Sequence, residues 1–120
     1  VTGEKLKEGL DLLKKHNALE AMPVVQFSYP PQRAFVINSD NQMEYKEKQY
    51  ITVRSQDLRK EYHDAGQFYF YNISQYLKIN GKIETGIVPI IVSEMEVQDI
   101  DNEDDWKLAE LKYSLLKRKE

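Results

Sequence analysis

A chain of 120 residues, 41% hydrophobic and 31% charged with a formal net charge of -3, has the makings of one globular domain with a modest core. It carries no basic excess for nucleic acid or an anionic membrane surface. It has no cysteine for disulfides or thiolate metal sites, and no apolar run of the ~18 residues that a membrane span needs. No signal peptide opens the sequence, so a cytoplasmic protein is the expectation, and an opening valine in place of methionine reads as a piece of a longer chain.

"VTGEKLKEGLDLLKK" has the pattern of a helix, with Thr2 as N-cap, Glu4 in the first turn and Leu6, Leu10 and Leu13 on one face. After His16-Asn17, "AMPVVQFSYPPQ" reads as a short buried strand, Met22 to Phe27, running into a loop stiffened by Pro30-Pro31. "RAFVINSDNQMEY" is a hairpin with Ser39-Asp40-Asn41 at its turn. The polar stretch "KEKQYITVRSQDLRKEYHDAG" reads as a long loop with one helical turn at most, and loops of that length in compact domains usually serve a function.

An aromatic strand, Gln67 to Tyr71, is expected next, followed by a short helix capped by Asn72 and closed before Gly81. "GIVPIIV" is continuously apolar, as in a strand buried on both faces, although Pro89 argues for an edge or a strand start. The tail "DDWKLAELKYSLLKRKE" is a helix with Trp106, Ala109, Tyr113 and Leu116 on one face, acidic at its start and basic at its finish to suit the helix dipole. Alternating strands and helices make the class α/β, in a single domain over residues 1–120.

Between the last strand and that helix, Asp99, Asp101, Glu103, Asp104 and Asp105 crowd into "DIDNEDD". Capping explains the later acids, with Asn102 or Asp101 as N-cap and the others in the first turn. On an extended segment Asp99 and Asp101 would face one side while Ile100 faces the core, which makes a plausible cation site. A calcium hand fits poorly because its sharp-turn position, where Gly is needed, is Asp104. Two carboxylates suit Mg²⁺, whose shell is completed by water and substrate phosphates.

"RSQDLRKEYHDAGQFYFYN" followed by "VQDIDNEDDWKLAE" resembles the C-terminal half of the acylneuraminate (nonulosonic acid) cytidylyltransferase family, with the "YHDAGQFY" wording closer to the pseudaminic acid branch. The resemblance implies the C-terminal part of a Rossmann-like nucleotidyltransferase fold, a doubly wound sheet with a dimerisation hairpin. Residues near 27–92 would hold the dimerisation and sugar-binding region. It also implies an enzyme that joins CMP from CTP to the anomeric hydroxyl of a nonulosonic acid and releases pyrophosphate, with Mg²⁺ as cofactor and a homodimer as the working form.

Residue by residue, the resemblance makes Asp99 and Asp101 the metal ligands, Asp101 doubling as a catalytic residue with Arg54. A guanidinium suits the sugar carboxylate by its fork geometry. Arg33 matches a basic residue presented across the dimer to the partner's substrate. For both arginines the plainer alternative is a side chain lying over the core. Gln56 and Asp57 would bond sugar or ribose hydroxyls, or else only their own turn. Gly66 would let the backbone approach a ligand, or simply open a strand. Tyr69 would line the sugar pocket, whereas His63 is expected to be structural rather than a base.

One departure is large. The family's phosphate-cradling segment of the Ala-Arg-Gly-Gly-Ser-Lys type has no counterpart among the five glycines. The expectation is therefore a sugar-and-metal half that does not turn over CTP alone. The competing expectation is a non-catalytic association module of the same fold.

Overall fold

In the computed structural model, which describes residues 1–118, the chain runs α1 (Gly3–Lys15), β1 (Glu20–Gln26), β2 (Phe35–Ile37), β3 (Met43–Tyr45), β4 (Tyr62–Asp64), β5 (Phe70–Tyr71), α2 (Ile73–Lys78), β6 (Ile87–Ile91) and α3 (Glu103–Lys117). Single 3₁₀ turns lie at Pro31–Arg33, Lys48–Tyr50, Ser55–Asp57 and Glu94–Glu96. Residues group into two compact units, one formed by Val1–Val25 and the chain from Asp64 onward, the other by Gln26–His63.

The first unit is a sheet with a helix on it. Thr2 caps α1 by accepting a hydrogen bond from the Lys5 N–H at 3.2 Å. Of the expected stripe Leu13 is buried and Leu10 half-buried, but Leu6 is exposed, and Gly9 and Leu12 join the inward face. Gly9 explains the rotation. A Cβ there would meet Ile90 Cδ1 at 2.7 Å, Phe70 at 3.2 Å and Phe68 at 3.3 Å, so the missing side chain lets helix and sheet close up. Gly9→Val is accordingly expected to lower unfolding stability by about 1–3 kcal/mol through overpacking, read as a lower urea midpoint.

β1 is the common partner of the sheet. It pairs antiparallel with β5, Glu20 opposite Tyr71 and Ala21 opposite Phe70, and parallel with β6 from Glu20-Ile87 to Val24-Ile91. Because Glu20 is paired on both sides, β5 and β6 occupy opposite edges of β1. At the end of β4 the Ala65 N–H donates to the Pro23 carbonyl at 3.0 Å. The core lies between sheet and α1 in two clusters. Val25, Ala65, Ile90 and Val92 pack with Leu12 and Phe68, and Leu13, Ala18 and Ala21 pack with Phe70 and Val88.

The apolar run in β6 is therefore not buried on both faces. Ile90 is 0% exposed and Ile91 is 59% exposed, because only one face of the strand meets α1. Among the described strands β6 pairs with β1 alone, which accommodates Pro89 and its missing N–H. The aromatic strand shortens to Phe70–Tyr71, and α2 starts at the expected cap, Asn72, whose side chain accepts from the Gln75 N–H. α3 also departs from expectation. Its half-buried positions are Asp105, Ala109, Lys112 and Leu116, while Trp106 and Tyr113 are exposed. Lys112 causes this, since its Nζ donates to the carbonyls of Glu94 at 3.0 Å and Val97 at 2.7 Å and fixes which face turns inward.

The second unit holds the β2–β3 hairpin, with Phe35 opposite Tyr45, Val36 opposite Glu44 and Ile37 opposite Met43. Its turn is closed by Asn38, whose Oδ1 accepts from the Asp40 and Gln42 N–H groups, and by Asn41 in the left-handed region at φ 61°. The long loop after it is broken by two 3₁₀ turns rather than one helical turn. It is anchored by Gln32, which is buried and donates from Nε2 to the Arg59 carbonyl at 2.8 Å.

Candidate functional site

The acidic junction separates into two groups once its hydrogen bonds are traced. Asn102 caps α3 by accepting from the Asp105 N–H at 2.9 Å, and Asp105 answers by accepting from the Asp101 N–H at 3.0 Å. Glu103, Asp104 and Asp105 fill the first turn, where their charge suits the helix dipole. Asp99 and Asp101 enter these contacts only through their backbone, and among the described residues their carboxylates have no hydrogen-bond or ion-pair partner.

Asp99 and Asp101 are not on a strand. β6 ends at Ile91, and a 3₁₀ turn follows, closed by a capping box between Ser93 and Glu96. Ile100 does not face the core but is 45% exposed, and with Asp101, Asn102, Glu103 and Trp106 it lines an open groove. Among the described residues no group of three or more His, Cys, Asp or Glu side chains is disposed to hold a metal ion. Asp101 lines that groove and Asp99 does not, and two carboxylates alone do not make an all-protein cage.

In the second unit, Arg54 and Asp57 close on each other, Nε to Oδ2 at 2.9 Å across the 3₁₀ turn, both well exposed. A pair so exposed adds little stability. It engages one nitrogen of the Arg54 guanidinium. Arg33 is half-buried and donates from Nη2 to the Val53 carbonyl, and its Nε is buried without a hydrogen-bond partner among the described residues. Gln56 borders a cavity of about 140 Å³ together with Gln32, Ser55, Leu58, Arg59 and Lys60. The His63 ring packs against Phe27 with centroids 4.9 Å apart.

In the first unit, Gly66 stands at φ +67° with open space where a Cβ would be, so it serves a turn and not a close approach by another part of the chain. Its N–H donates to Asp64 Oδ1 at 2.7 Å, and the Tyr69 hydroxyl donates to Asp64 Oδ2 at 2.6 Å. That hydrogen bond is the main reason the Tyr69 phenol is pushed up to about 12. Beside it stand Tyr71 and Glu20, both raised above their ordinary values chiefly by burial. Tyr69, Tyr71 and Tyr76 form a run of rings, with centroids 6.3 Å and 5.4 Å apart.

Asp64, Glu20 and Tyr71 were not singled out in the sequence. Alternation alone could have found Tyr71, which shares the face of Tyr69 while Phe68 and Phe70 turn to the core. Glu20 makes a pH prediction. A carboxyl whose folded pKa lies above its unfolded value favours the folded state most below the unfolded pKa, so stability is expected to fall as pH rises from about 4.5 through the raised value. Glu20→Gln should flatten that limb in thermal melts taken across the acid range.

No family model matches the chain. Curated relatives do. The pseudaminic acid cytidylyltransferase of Campylobacter jejuni strain 81-176 is 31% identical over 110 residues, which is 92% of this chain and 47% of that protein, and its counterpart in strain NCTC 11168 matches to the same extent. In Helicobacter pylori strain 26695 a protein named pseudaminic acid cytidylyltransferase and UDP-2,4-diacetamido-2,4,6-trideoxy-beta-L-altropyranose hydrolase is 31% identical over 96 residues, covering 79% of this chain and 18% of its own length. By sequence the chain is a homologue of the pseudaminic acid cytidylyltransferases, matched along nearly all of its own length and spanning about half the length of the Campylobacter relatives.

Proposed function

We propose that this chain is the C-terminal, sugar-and-metal part of a CMP-nonulosonic acid synthetase with a Rossmann-like nucleotidyltransferase fold. The observation that carries the proposal is the similarity to pseudaminic acid cytidylyltransferases across 92% of the chain. In the reaction, the anomeric hydroxyl of the sugar attacks the α-phosphorus of CTP. The new P–O bond forms as the bond from that phosphorus to the bridging oxygen breaks, pyrophosphate leaves, and the hydroxyl proton passes to solvent.

Asp99 and Asp101 would hold Mg²⁺, which when bound offsets the charge gathering on the phosphate oxygens. Arg54 would take the sugar carboxylate through the nitrogens that Asp57 does not engage, and Asp57 would keep the guanidinium in place. Gln56 and Tyr69 would contact the sugar, with Gly66 shaping the turn between Asp64 and Tyr69. Arg33, tied to Val53, would act from its own subunit toward the partner's substrate.

The native gene product, given CTP, Mg²⁺ and pseudaminic acid, is expected to release pyrophosphate and CMP-sugar, while the 120-residue chain by itself gives neither. Product from the isolated chain would show that no further segment is needed; none from the native product would remove the enzyme reading.

The exposed hairpin favours a second reading, association. Phe35, Val36, Ile37 and Met43 are 49%, 45%, 70% and 65% exposed, an apolar surface of the kind that marks an interaction site. A homodimer through this hairpin is expected, and Ile37→Asp should shift the chain toward monomer in light scattering.

A further inference from the structure

One phenol on the open side of the sheet has already spent its proton. Tyr69 is 42% exposed and donates its one hydroxyl hydrogen to Asp64 Oδ2 at 2.6 Å, a charge-assisted bond at the short end of the O–H···O⁻ range. Asp64 is itself fixed, since its Oδ1 accepts the Gly66 N–H at 2.7 Å and Gly66 holds the left-handed turn that brings the N–H there. Tyr71, 39% exposed, lies beside Tyr69 with ring centroids 6.3 Å apart.

A phenol that donates inward offers a ligand only lone pairs. It can accept from an O–H or N–H but cannot donate to a carboxylate or phosphate, and the Asp64 charge behind it repels such groups further.

We infer that Asp64 is a positioning residue that sets Tyr69 as an obligate hydrogen-bond acceptor, so that Tyr69 takes a hydroxyl or amide N–H of the sugar and not its carboxylate. The inference rests on the proposed sugar site. The tyrosine face thus suits the neutral donor groups of the sugar. The raised Tyr69 ionisation accords with a proton held between phenol and carboxylate.

Asp64→Asn is the decisive change. Its side-chain oxygen can still accept from the Gly66 N–H, so the turn survives, while its NH₂ would donate to the Tyr69 oxygen and free the hydroxyl to donate outward. The experiment is NMR titration of the 120-residue chain with pseudaminic acid, for wild type, Asp64→Asn, Tyr69→Phe and the double variant, with ultraviolet titration of the tyrosines alongside.

Each single variant is expected to bind about tenfold more weakly, the loss of one hydrogen bond to a now mismatched or missing acceptor. The double variant should bind no worse than Tyr69→Phe, and Asp64→Asn should return one tyrosine toward ordinary ionisation. Unchanged or tighter binding by Asp64→Asn, or losses that simply add in the double variant, would overturn the inference. A wild-type chain with no sugar-induced shifts would overturn the parent reading of the sugar site and the ligand assigned to Tyr69. An Asp64→Asn chain whose tyrosines titrate as in wild type would overturn the polarity itself, whatever the sugar does.

Discussion

Asp101→Ala in the native gene product is expected to cut Mg²⁺-dependent CMP-sugar formation by about a hundredfold or more while leaving thermal stability nearly unchanged. The size follows from the several kcal/mol of transition-state charge stabilisation that a bound metal supplies to phosphoryl transfer. The separation of activity from stability follows from the hydrogen bonds at the junction. The Asp101 carboxylate has no partner among the described residues, and the part of Asp101 that the cap uses is its N–H, which alanine retains. Asp105→Ala should behave in the opposite way. It removes the acceptor of that N–H from the start of α3, so it is expected to cost about 1 kcal/mol of stability with a smaller effect on the rate. Initial rates across a Mg²⁺ series, with melting curves on the same preparations, check both. Equal losses of rate in the two variants would mean that the acidic run acts only as a cap.

A comparable contrast is expected within two adjacent residues of β6. Ile90→Ala should destabilise the chain by about 2–5 kcal/mol, since it deletes a side chain that is 0% exposed where both Leu12 and the Gly9 backbone press on the sheet. Ile91→Ala, at a position 59% exposed, should fall within about 0.5 kcal/mol of wild type. Urea denaturation of the two variants measures this directly. Similar costs at both positions would show that the outer face of β6 is covered in solution, for instance by a second copy of the chain pairing along its open edge.

Local chemistry was read correctly from the sequence where it is self-contained. The Thr2 cap of α1, the Asn72 cap of α2, the Asn102 cap of α3 and the Ser39-Asp40-Asn41 turn each depend on residues within a few positions of one another, and each is present. The similarity to the cytidylyltransferases was legible for a related reason: "RSQDLRKEYHDAGQFYFYN" and "VQDIDNEDDW" are contiguous strings, and the Campylobacter relatives align over 92% of the chain.

What failed in the sequence reading were assignments of side. The expected face of α3, the place of Leu6 in the stripe of α1 and the two-sided burial of "GIVPIIV" all assumed that the most apolar face turns inward. Lys112 reaching two carbonyls and Gly9 admitting Ile90 decided otherwise, and both are contacts between residues distant in the chain. The candidate site divides in the same way. Spacing by itself offered Asp99 and Asp101 as a cation pair, and the family resemblance implied Arg54 and Tyr69 as sugar contacts. Only the tertiary structure decided which of those groups are already engaged. Arg54 is paired with Asp57, Tyr69 has given its proton to Asp64, and the carboxylates of Asp99 and Asp101 are uncommitted. The physical reason is that a hydrogen bond is set by distance and direction in space, and these the sequence fixes only through the fold.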